Sequence, residues 1–213
     1  MKAMARHRGM ASPFRYESVA LQGGYAAVAG VDEAGRGPLA GPVVVAAVML
    51  PLPPEEFSLP VDDSKKLSER QRESLAAALR ADARVRYAVV SRSAAEIDRL
   101  NILRATQEAM REAVQQLRAD YALVDGLPFS PFPCEACFIV KGDGRSASIA
   151  AASILAKTTR DAMMNELDRR YPGYGFASNK GYGTAAHLEA LRKLGPCPEH
   201  RRSFSPVAQP SLF

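Results

Sequence analysis

Short apolar runs alternate with longer amphipathic segments along most of the chain. Runs rich in Val, Ala, Ile and Leu predict buried strands over residues 25–33, 42–50, 85–91, 121–124 and 136–140. Apolar residues at helical spacing predict helices over residues 64–83, 102–119 and 148–170. Strands that alternate with helices, without internal repeats, indicate a single α/β domain built on one sheet.

Acidic residues follow three of these predicted strands. Asp32 and Glu33 end the first run, Asp125 follows the run at 121–124, and Asp143 follows the run at 136–140. Because α/β enzymes build their sites at strand ends, we expect these carboxylates to converge. Neighbouring residues of a strand point to opposite faces, so either Asp32 or Glu33 must act from the strand end or through another group.

Three or four carboxylates in one place repel one another, and proteins resolve such repulsion by protonation or with divalent cations. Oxygen ligands without histidine favour Mg²⁺ or Mn²⁺ over zinc. Two such cations about 3.5–4 Å apart can stabilise both the attacking and the leaving oxygen of an in-line displacement. The pattern therefore predicts a metal-dependent enzyme that acts on a phosphodiester.

The composition is that of an ordinary globular protein, with 47% hydrophobic and 24% charged residues in a chain of 213. The formal net charge of +5 fits a polyanionic partner without requiring one. The longest uncharged stretch, residues 38–54, is too short and too rich in proline to span a membrane, and no apolar signal segment follows the basic N-terminus. We therefore expect a cytoplasmic protein without a membrane partner.

The cysteines offer a competing interpretation. Cys134-x-x-Cys137 and Cys197-x-x-His200 could together form a zinc site with three cysteines and one histidine. Such a site requires the two halves to meet in space, and the first pair abuts a predicted strand. We favour unligated, partly buried thiols in a reducing compartment. A redox role for Cys134 and Cys137 is disfavoured, because a strand rather than a helix follows them.

Seven segments resemble, in order, those of the bacterial ribonuclease HII family: GVDEAGRGP at 30–38, DSKKL at 63–67, VDG at 124–126, KGD at 141–143, AASILAKTTRD at 151–161, KGYGT at 180–184 and HRRSF at 200–204. The resemblance implies a ribonuclease H-like mixed sheet flanked by helices, with a helical C-terminal extension. It divides the chain into a basic lead over residues 1–24, the ribonuclease domain over 25–207 and a tail over 208–213.

The resemblance also implies which residues form the site. The catalytic and metal-binding acids are Asp32, Glu33, Asp125 and Asp143, with two Mg²⁺ or Mn²⁺ ions expected with substrate. The segments that contact the ribonucleotide and its 3′ neighbour contain Gly35, Arg36, Gly37 and Tyr182. The implied activity is cleavage of the RNA strand of RNA–DNA hybrids and of duplex DNA on the 5′ side of single ribonucleotides, leaving 3′-hydroxyl and 5′-phosphate ends.

Two rival functions and several secondary assignments stay open. A hybrid-binding module without activity would lack one of the acids, and a transposase or resolvase nuclease would carry further DNA-binding segments. Asp161 lies four residues after Lys157, so an ion pair on one helix is a simpler explanation for it than metal binding. Some lysines in the matched segments are either solvated or in contact with phosphates: Lys65, Lys66, Lys157 and Lys180. We expect a monomer, and residues 209–213 are a candidate replication-clamp peptide.

Overall fold

A mixed sheet of five strands forms the centre of the part of the chain that the computed structural model describes, which is residues 14–51, 57, 59–61, 64 and 67–208. The strands are β1 (Val28–Ala34), β2 (Val43–Met49), β3 (Arg86–Arg92), β4 (Tyr121–Asp125) and β5 (Glu135–Ile139). Their order is β3-β2-β1-β4-β5. β1, β4 and β5 are parallel, whereas β2 is antiparallel to β1 and to β3. The three parallel strands therefore end at the same side of the sheet, where the acids lie.

Helices cover both faces of the sheet and extend the chain beyond it. The helices are α1 (Arg15–Gln22), α2 (Glu69–Ala81), α3 (Ala94–Leu100), α4 (Ile102–Leu117), α5 (Ala147–Arg170), α6 (Phe176–Asn179), α7 (Ala185–Leu194) and α8 (Ser205–Ala208). Apolar residues of α4 pack on one face of the sheet, and those of α5 pack on the other. The predicted α/β class and the C-terminal helical extension are both confirmed.

The contact between β1 and α5 is unusually close because β1 has a glycine at the crossing point. A Cβ atom added at Gly30 would lie 2.1 Å from the carbonyl carbon of Ser148 in α5. Along β1, Ala29 and Val31 pack with the α4 side of the core, so the alternate positions Gly30 and Asp32 face α5. This alternation directs the Asp32 side chain toward α5.

Outside the C-terminal extension, two helices are absent from the predictions made on the sequence. α3 is only seven residues long, although a capping box between Ser93 and Glu96 starts it. α1 lies within the predicted basic lead, and one of its two buried residues is the acidic Glu17. The helix predicted over residues 64–83 begins only at Glu69, where Ser68 and Gln71 form the expected capping box.

Glu17 fastens α1 to the start of α5. Its Oε1 atom accepts hydrogen bonds from the hydroxyl of Ser146 at 2.6 Å, and from the backbone N–H and the hydroxyl of Ser148 at 2.9 and 2.7 Å. A carboxylate at a helix N-terminus is stabilised by the unpaired N–H groups and by the helix dipole. Ser146 follows the turn that carries Asp143, so this cap also fixes one end of that turn.

Candidate active site

A cavity of about 410 Å³ opens at the carboxyl ends of β1 and β4. Its wall contains three of the four predicted acids, Asp32, Glu33 and Asp125. The same wall contains all four residues predicted to contact substrate: Gly35, Arg36, Gly37 and Tyr182. Seven of the eight predicted site residues therefore share one cavity.

The strand register brings two of these acids together. β1 and β4 run parallel, and Val31 lies opposite Val124. The next residues along the two strands, Asp32 and Asp125, therefore lie side by side on neighbouring strands. By the alternation of β4, Asp125 shares a face with Leu123, which packs against Ile149 of α5. Both carboxylates are therefore on the α5 side of the sheet.

Asp32 is buried and only 5% exposed. Burial, and then the neighbouring charges of Glu33 and Asp125, raise the pKa of Asp32 well above its ordinary value. A hydrogen bond of 2.7 Å from the Glu33 N–H and one from the side chain of Ser153 act in the opposite direction. Glu33, the last residue but one of β1, has the opposite strand parity and also borders the cavity.

Asp143 does not line this cavity. It is buried in a 3₁₀ turn, Gly142–Gly144, and borders a separate cavity of about 40 Å³ beside the start of α5. The turn is nevertheless attached to the site, because the Gly142 N–H donates a 2.6 Å hydrogen bond to Oδ1 of Asp125. Among the described residues, no group of three or more Asp, Glu, His or Cys side chains is arranged to hold a metal ion.

The segment after β1 turns sharply at Gly35, whose φ of +93° favours glycine. A Cβ atom at Gly35 would also lie 2.0 Å from Nε of Arg160, so this position excludes any side chain. The Arg36 guanidinium, which is half exposed, forms an ion pair of 3.3 Å with Glu33. This part of the cavity wall is thus a tight backbone turn, with the Arg36 guanidinium beside the Glu33 carboxylate.

Tyr182 presents a half-exposed ring to the cavity while its backbone is held from behind. Its carbonyl oxygen lies 2.8 Å from Nδ1 of His187, and Nε2 of His187 lies 3.1 Å from Nε2 of His200. The Cys197 N–H donates to Nδ1 of His200 at 3.1 Å. One pair of neutral tautomers satisfies all these contacts: His200 donates from Nε2 to His187, which donates from Nδ1 to Tyr182.

Burial lowers the pKa of both histidines, that of His200 to about 4. Each ring nitrogen already has a role in the chain of hydrogen bonds, so an added proton would place two N–H groups against each other. The buried network therefore requires neutral imidazoles.

The cysteines belong to three different clusters. Cys134 packs with the α4 side of the core, and Cys137 packs with the cluster that contains Ile149 of α5. Cys197 is buried in the C-terminal extension, where its sulfur lies 3.2 Å from Nδ1 of His200. The two halves of the hypothetical zinc site are thus in separate parts of the core.

The predicted ion pair on α5 is confirmed, since Nζ of Lys157 lies 2.8 Å from Oδ1 of Asp161. Lys157 also lines the cavity, whereas Nζ of Lys180 donates to the side chain of Asn165. Lys65 and Lys66 lie outside the described residues.

Several cavity residues were not among the predicted site residues. Ser64 and Ser153 join their hydroxyls at 2.7 Å beside Asp32, and Arg72 of α2 donates to the carbonyl oxygens of Ser64 and Leu67. The two serines lie inside matched sequence segments, which offered a signal for them. Arg72 lies on an exposed amphipathic helix, and its sequence context does not distinguish it from a surface arginine.

A model of the family described as Ribonuclease HII matches residues 29–207, which is most of the chain. The chain belongs to the ribonuclease HII family. A relative named Ribonuclease HII from Chlamydia trachomatis serovar L2 is 54% identical over 196 residues, which cover 91% of this chain and 89% of the relative. The family members are metal-dependent endonucleases that hydrolyse RNA in RNA–DNA hybrids, and the chain is an enzyme of this class.

Solved structures of relatives agree with the fold. The ribonuclease HII in a complex with PCNA from Archaeoglobus fulgidus has a TM-score of 0.74 and 28% identity, covering 86% of this chain and 96% of that one. The ribonuclease H2 from Pyrococcus horikoshii has a TM-score of 0.72 and 29% identity, covering 88% of this chain and 98% of that one. No helix among the described residues is long and apolar enough to cross a membrane.

Proposed function

We propose that this ribonuclease cuts duplex DNA on the 5′ side of single embedded ribonucleotides as well as the RNA strand of hybrids, with two divalent cations and a water nucleophile. The observation that carries the proposal is the shared cavity. Asp32, Glu33 and Asp125 lie in the same wall as Gly35–Gly37 and Tyr182, so a ribose against the glycine turn is next to the carboxylates. The products are a 3′-hydroxyl and a 5′-phosphate.

The acids fit Mg²⁺ or Mn²⁺ by their chemistry. They offer only hard oxygen ligands, and a bound cation would offset the burial and the mutual repulsion that together raise the pKa of Asp32. Mg²⁺ is commonly held by one or two protein carboxylates together with substrate phosphates, so a complete cage of protein ligands is not needed. When bound, the pair of cations supplies an activated water and charge neutralisation at the leaving 3′-oxygen.

The residues that would hold the cations are Asp32, Asp125 and Glu33, with Asp143 approaching from the turn joined to Asp125. Ser153 orients the Asp32 carboxylate through its hydrogen bond. Lys157, which lines the cavity, carries a positive charge that can attract a phosphate of the nucleic acid. The ion pair between Arg36 and Glu33 keeps the Arg36 guanidinium at the mouth of the cavity.

Recognition of RNA depends on the 2′-hydroxyl, which is both a donor and an acceptor and is the only group that marks a ribonucleotide in DNA. The backbone of Gly35–Gly37 can approach a sugar closely because two of its three residues lack side chains. Tyr182 offers a ring on which the neighbouring sugar or base can stack. Together they read the sugar without reading the base, which suits an enzyme that acts at any sequence.

The decisive experiment compares three duplexes of one sequence: all DNA, DNA with one ribonucleotide, and an RNA–DNA hybrid. We expect no cleavage of the first, a single cut 5′ of the ribonucleotide in the second, and several cuts in the third. Product ends are identified by ligation and by phosphatase treatment. Efficient cleavage of the all-DNA duplex would contradict the proposal, and so would cleavage of the hybrid alone.

Binding to a replication clamp is a second proposal. The Archaeoglobus fulgidus relative was solved in a complex with PCNA. Residues 209–213, QPSLF, are the candidate segment here and lie outside the described residues. A pull-down with purified clamp, using the full chain and a chain that ends at residue 208, tests the assignment. Equal retention of both chains, or of neither, would contradict it.

A further inference from the structure

Two buried arginines lie directly beneath the segment that follows β1. Arg201, from the chain after α7, is fully buried, and Arg160 of α5 is 1% exposed. Burial of a guanidinium costs several kcal/mol unless its donors are satisfied. Every hydrogen bond that these two side chains form among the described residues goes to a backbone carbonyl oxygen. Both arginines therefore hold backbone carbonyl groups in place and do not neutralise an acidic side chain.

Arg201 holds the glycine turn itself. Its Nη2 atom donates to the Gly35 oxygen at 2.6 Å, and its Nη1 atom donates to the Arg36 oxygen at 2.9 Å. Its Nε and Nη2 atoms also donate to the Gly41 oxygen, at 3.0 and 2.9 Å. The planar fork of a guanidinium matches this set of acceptors, whereas the ammonium of a lysine does not. Arg160 holds the other end of the segment through the oxygens of Ala40 and Pro42.

The orientation of these carbonyl groups determines where the amide groups point. In a trans peptide the C=O of one residue and the N–H of the next point in opposite directions. Because the Gly35 and Arg36 oxygens point inward to Arg201, the N–H groups of Arg36 and Gly37 point away from it. Within the described part of the chain, neither N–H has a hydrogen-bond acceptor. Two unused donors are thus presented by residues that line the cavity.

We infer that Arg201 is a positioning residue for ribonucleotide recognition: it draws two carbonyl groups inward and so presents the N–H groups of Arg36 and Gly37 to the ribonucleotide. Arg201 does not line the cavity and acts only through the turn. The inference rests on the proposed role of this turn in sensing the ribose. It predicts that a change at Arg201 alters the choice of substrate more than it alters the ability to cut.

The test measures kcat on the duplex with one ribonucleotide and on the hybrid, and uses the ratio of the two values. Partial unfolding lowers both values by the same factor, so the ratio reports only on positioning. For Arg201→Lys we expect the ratio to fall about tenfold, since a small displacement of a positioning group costs that much or more. The matched control is Arg202→Lys, the exposed neighbour, for which we expect an unchanged ratio.

A milder variant provides for the case in which Arg201→Lys does not fold. Asp98 accepts hydrogen bonds from the N–H groups of Arg202 and Ser203, both at 2.9 Å, and so anchors the segment that carries Arg201. Asp98→Ala should lower the ratio in the same direction by about threefold, a smaller displacement of the same group.

Gly37→Ala and Tyr182→Ala separate the inference from the proposed function. If these two variants lower the ratio while folded Arg201→Lys and Asp98→Ala do not, the positioning role is wrong and the recognition role stands. If none of the four variants changes the ratio, the proposed recognition role fails and the inference fails with it.

Discussion

Gly37 lies against the ring of Tyr182, close enough that a Cβ atom added at Gly37 would be 3.6 Å from Cε1 of the tyrosine. This is an ordinary van der Waals distance, and the φ of Gly37 is not in the left-handed region. A methyl group at Gly37 is therefore accommodated by the protein alone, and it occupies space at the surface that is proposed above to contact the ribose. The two segments also meet through the backbone, because the Leu39 N–H donates to the Gly181 oxygen at 2.8 Å.

The first prediction follows from this contact. Gly37→Ala and, to a smaller degree, Tyr182→Ala should reduce cleavage at a single embedded ribonucleotide by about tenfold more than cleavage of a long hybrid, in which several binding registers are available. Neither variant should shift the melting temperature by more than about 2 °C. Equal losses on both substrates would make these residues general parts of the scaffold.

The second prediction concerns the acids. Asp32→Asn, Asp125→Asn and Asp143→Asn should each lower kcat by about three orders of magnitude or more, since each removes a negative ligand. Asp161→Asn is the matched control on α5, and its ion pair with Lys157 accounts for its charge. Near-normal activity of the Asp143 variant would remove that residue from the proposed tetrad, and its separate cavity makes this the most informative of the three.

Asp32 also provides a readout that does not depend on activity. Its buried carboxylate is repelled by Glu33 and Asp125, so Asp32→Asn should raise the free energy of unfolding at pH 7 by roughly 1 kcal/mol without metal. Mg²⁺ should raise the melting temperature of the native chain and should have a smaller effect on the variant. An equal effect of Mg²⁺ on both proteins would place the cation elsewhere.

The third prediction is a loss of stability in acid. His200 has a pKa of about 4 in the folded chain and an ordinary value of 6.5 when unfolded, so the unfolded state binds the extra proton. The stabilisation is complete above pH 6.5 and is lost as the pH falls from 6.5 to 4, by about 3 kcal/mol. Urea unfolding at several pH values measures it. A double variant, His187→Gln with His200→Gln, should show a flatter dependence over this window, and an identical slope would exclude the histidine pair as its source.

The sequence contains enough information for the layers of the fold and for the acids, for identifiable physical reasons. α4 has 16 residues with a clear one-sided apolar spacing, and α5 has 24 residues with a long apolar run at its start, whereas α3 has only seven residues over which to show a period. The placement of Asp32 and Asp125 was predictable because each directly follows a clear apolar run. The location of Asp143 in a separate cavity could not be predicted, because it depends on how a three-residue turn packs against α5.

The support of the glycine turn could not be predicted from local patterns. Arg160 and Arg201 are charged residues that the hydrophobic pattern assigns to the surface, yet both are buried. Their acceptors are backbone carbonyl groups more than a hundred residues away in the chain, as for Arg201 and Gly35. Any residue type offers such an acceptor, so the sequence carries no partner signal for these arginines.

The fourth prediction tests the close crossing of β1 and α5. Gly30→Ala places a methyl group 2.1 Å from backbone atoms of Ser148, which cannot move as a side chain would, so we expect a loss of about 3 kcal/mol in the free energy of unfolding. Gly144→Ala is the control, because an added Cβ meets no atom within 4 Å there. Similar melting curves for the two variants would show that α5 can move away from the strand.

The fifth prediction concerns the thiols. Replacement of Cys134, Cys137 and Cys197 together by Ala should leave cleavage largely intact and lower the free energy of unfolding by about 1–2 kcal/mol, from lost packing at the buried Cys197. Elemental analysis of the native protein is the complementary measurement. One tightly held zinc per chain, with unfolding on chelation, would overturn this assignment.

The loops between β1 and β4 can vary in length without moving the acids, because the alignment of Asp32 with Asp125 is set by the ladder that pairs Val31 with Val124. An insertion in the loop before α2 leaves that ladder untouched. A single residue lost inside β4 would instead turn the Asp125 carboxylate to the α4 face, on the far side of the sheet from its partner. The position of the acids thus depends on which face of the sheet each of the two strands turns its aspartate to. Members of this family can differ in loop length, but they must keep both aspartates on the same face of the sheet.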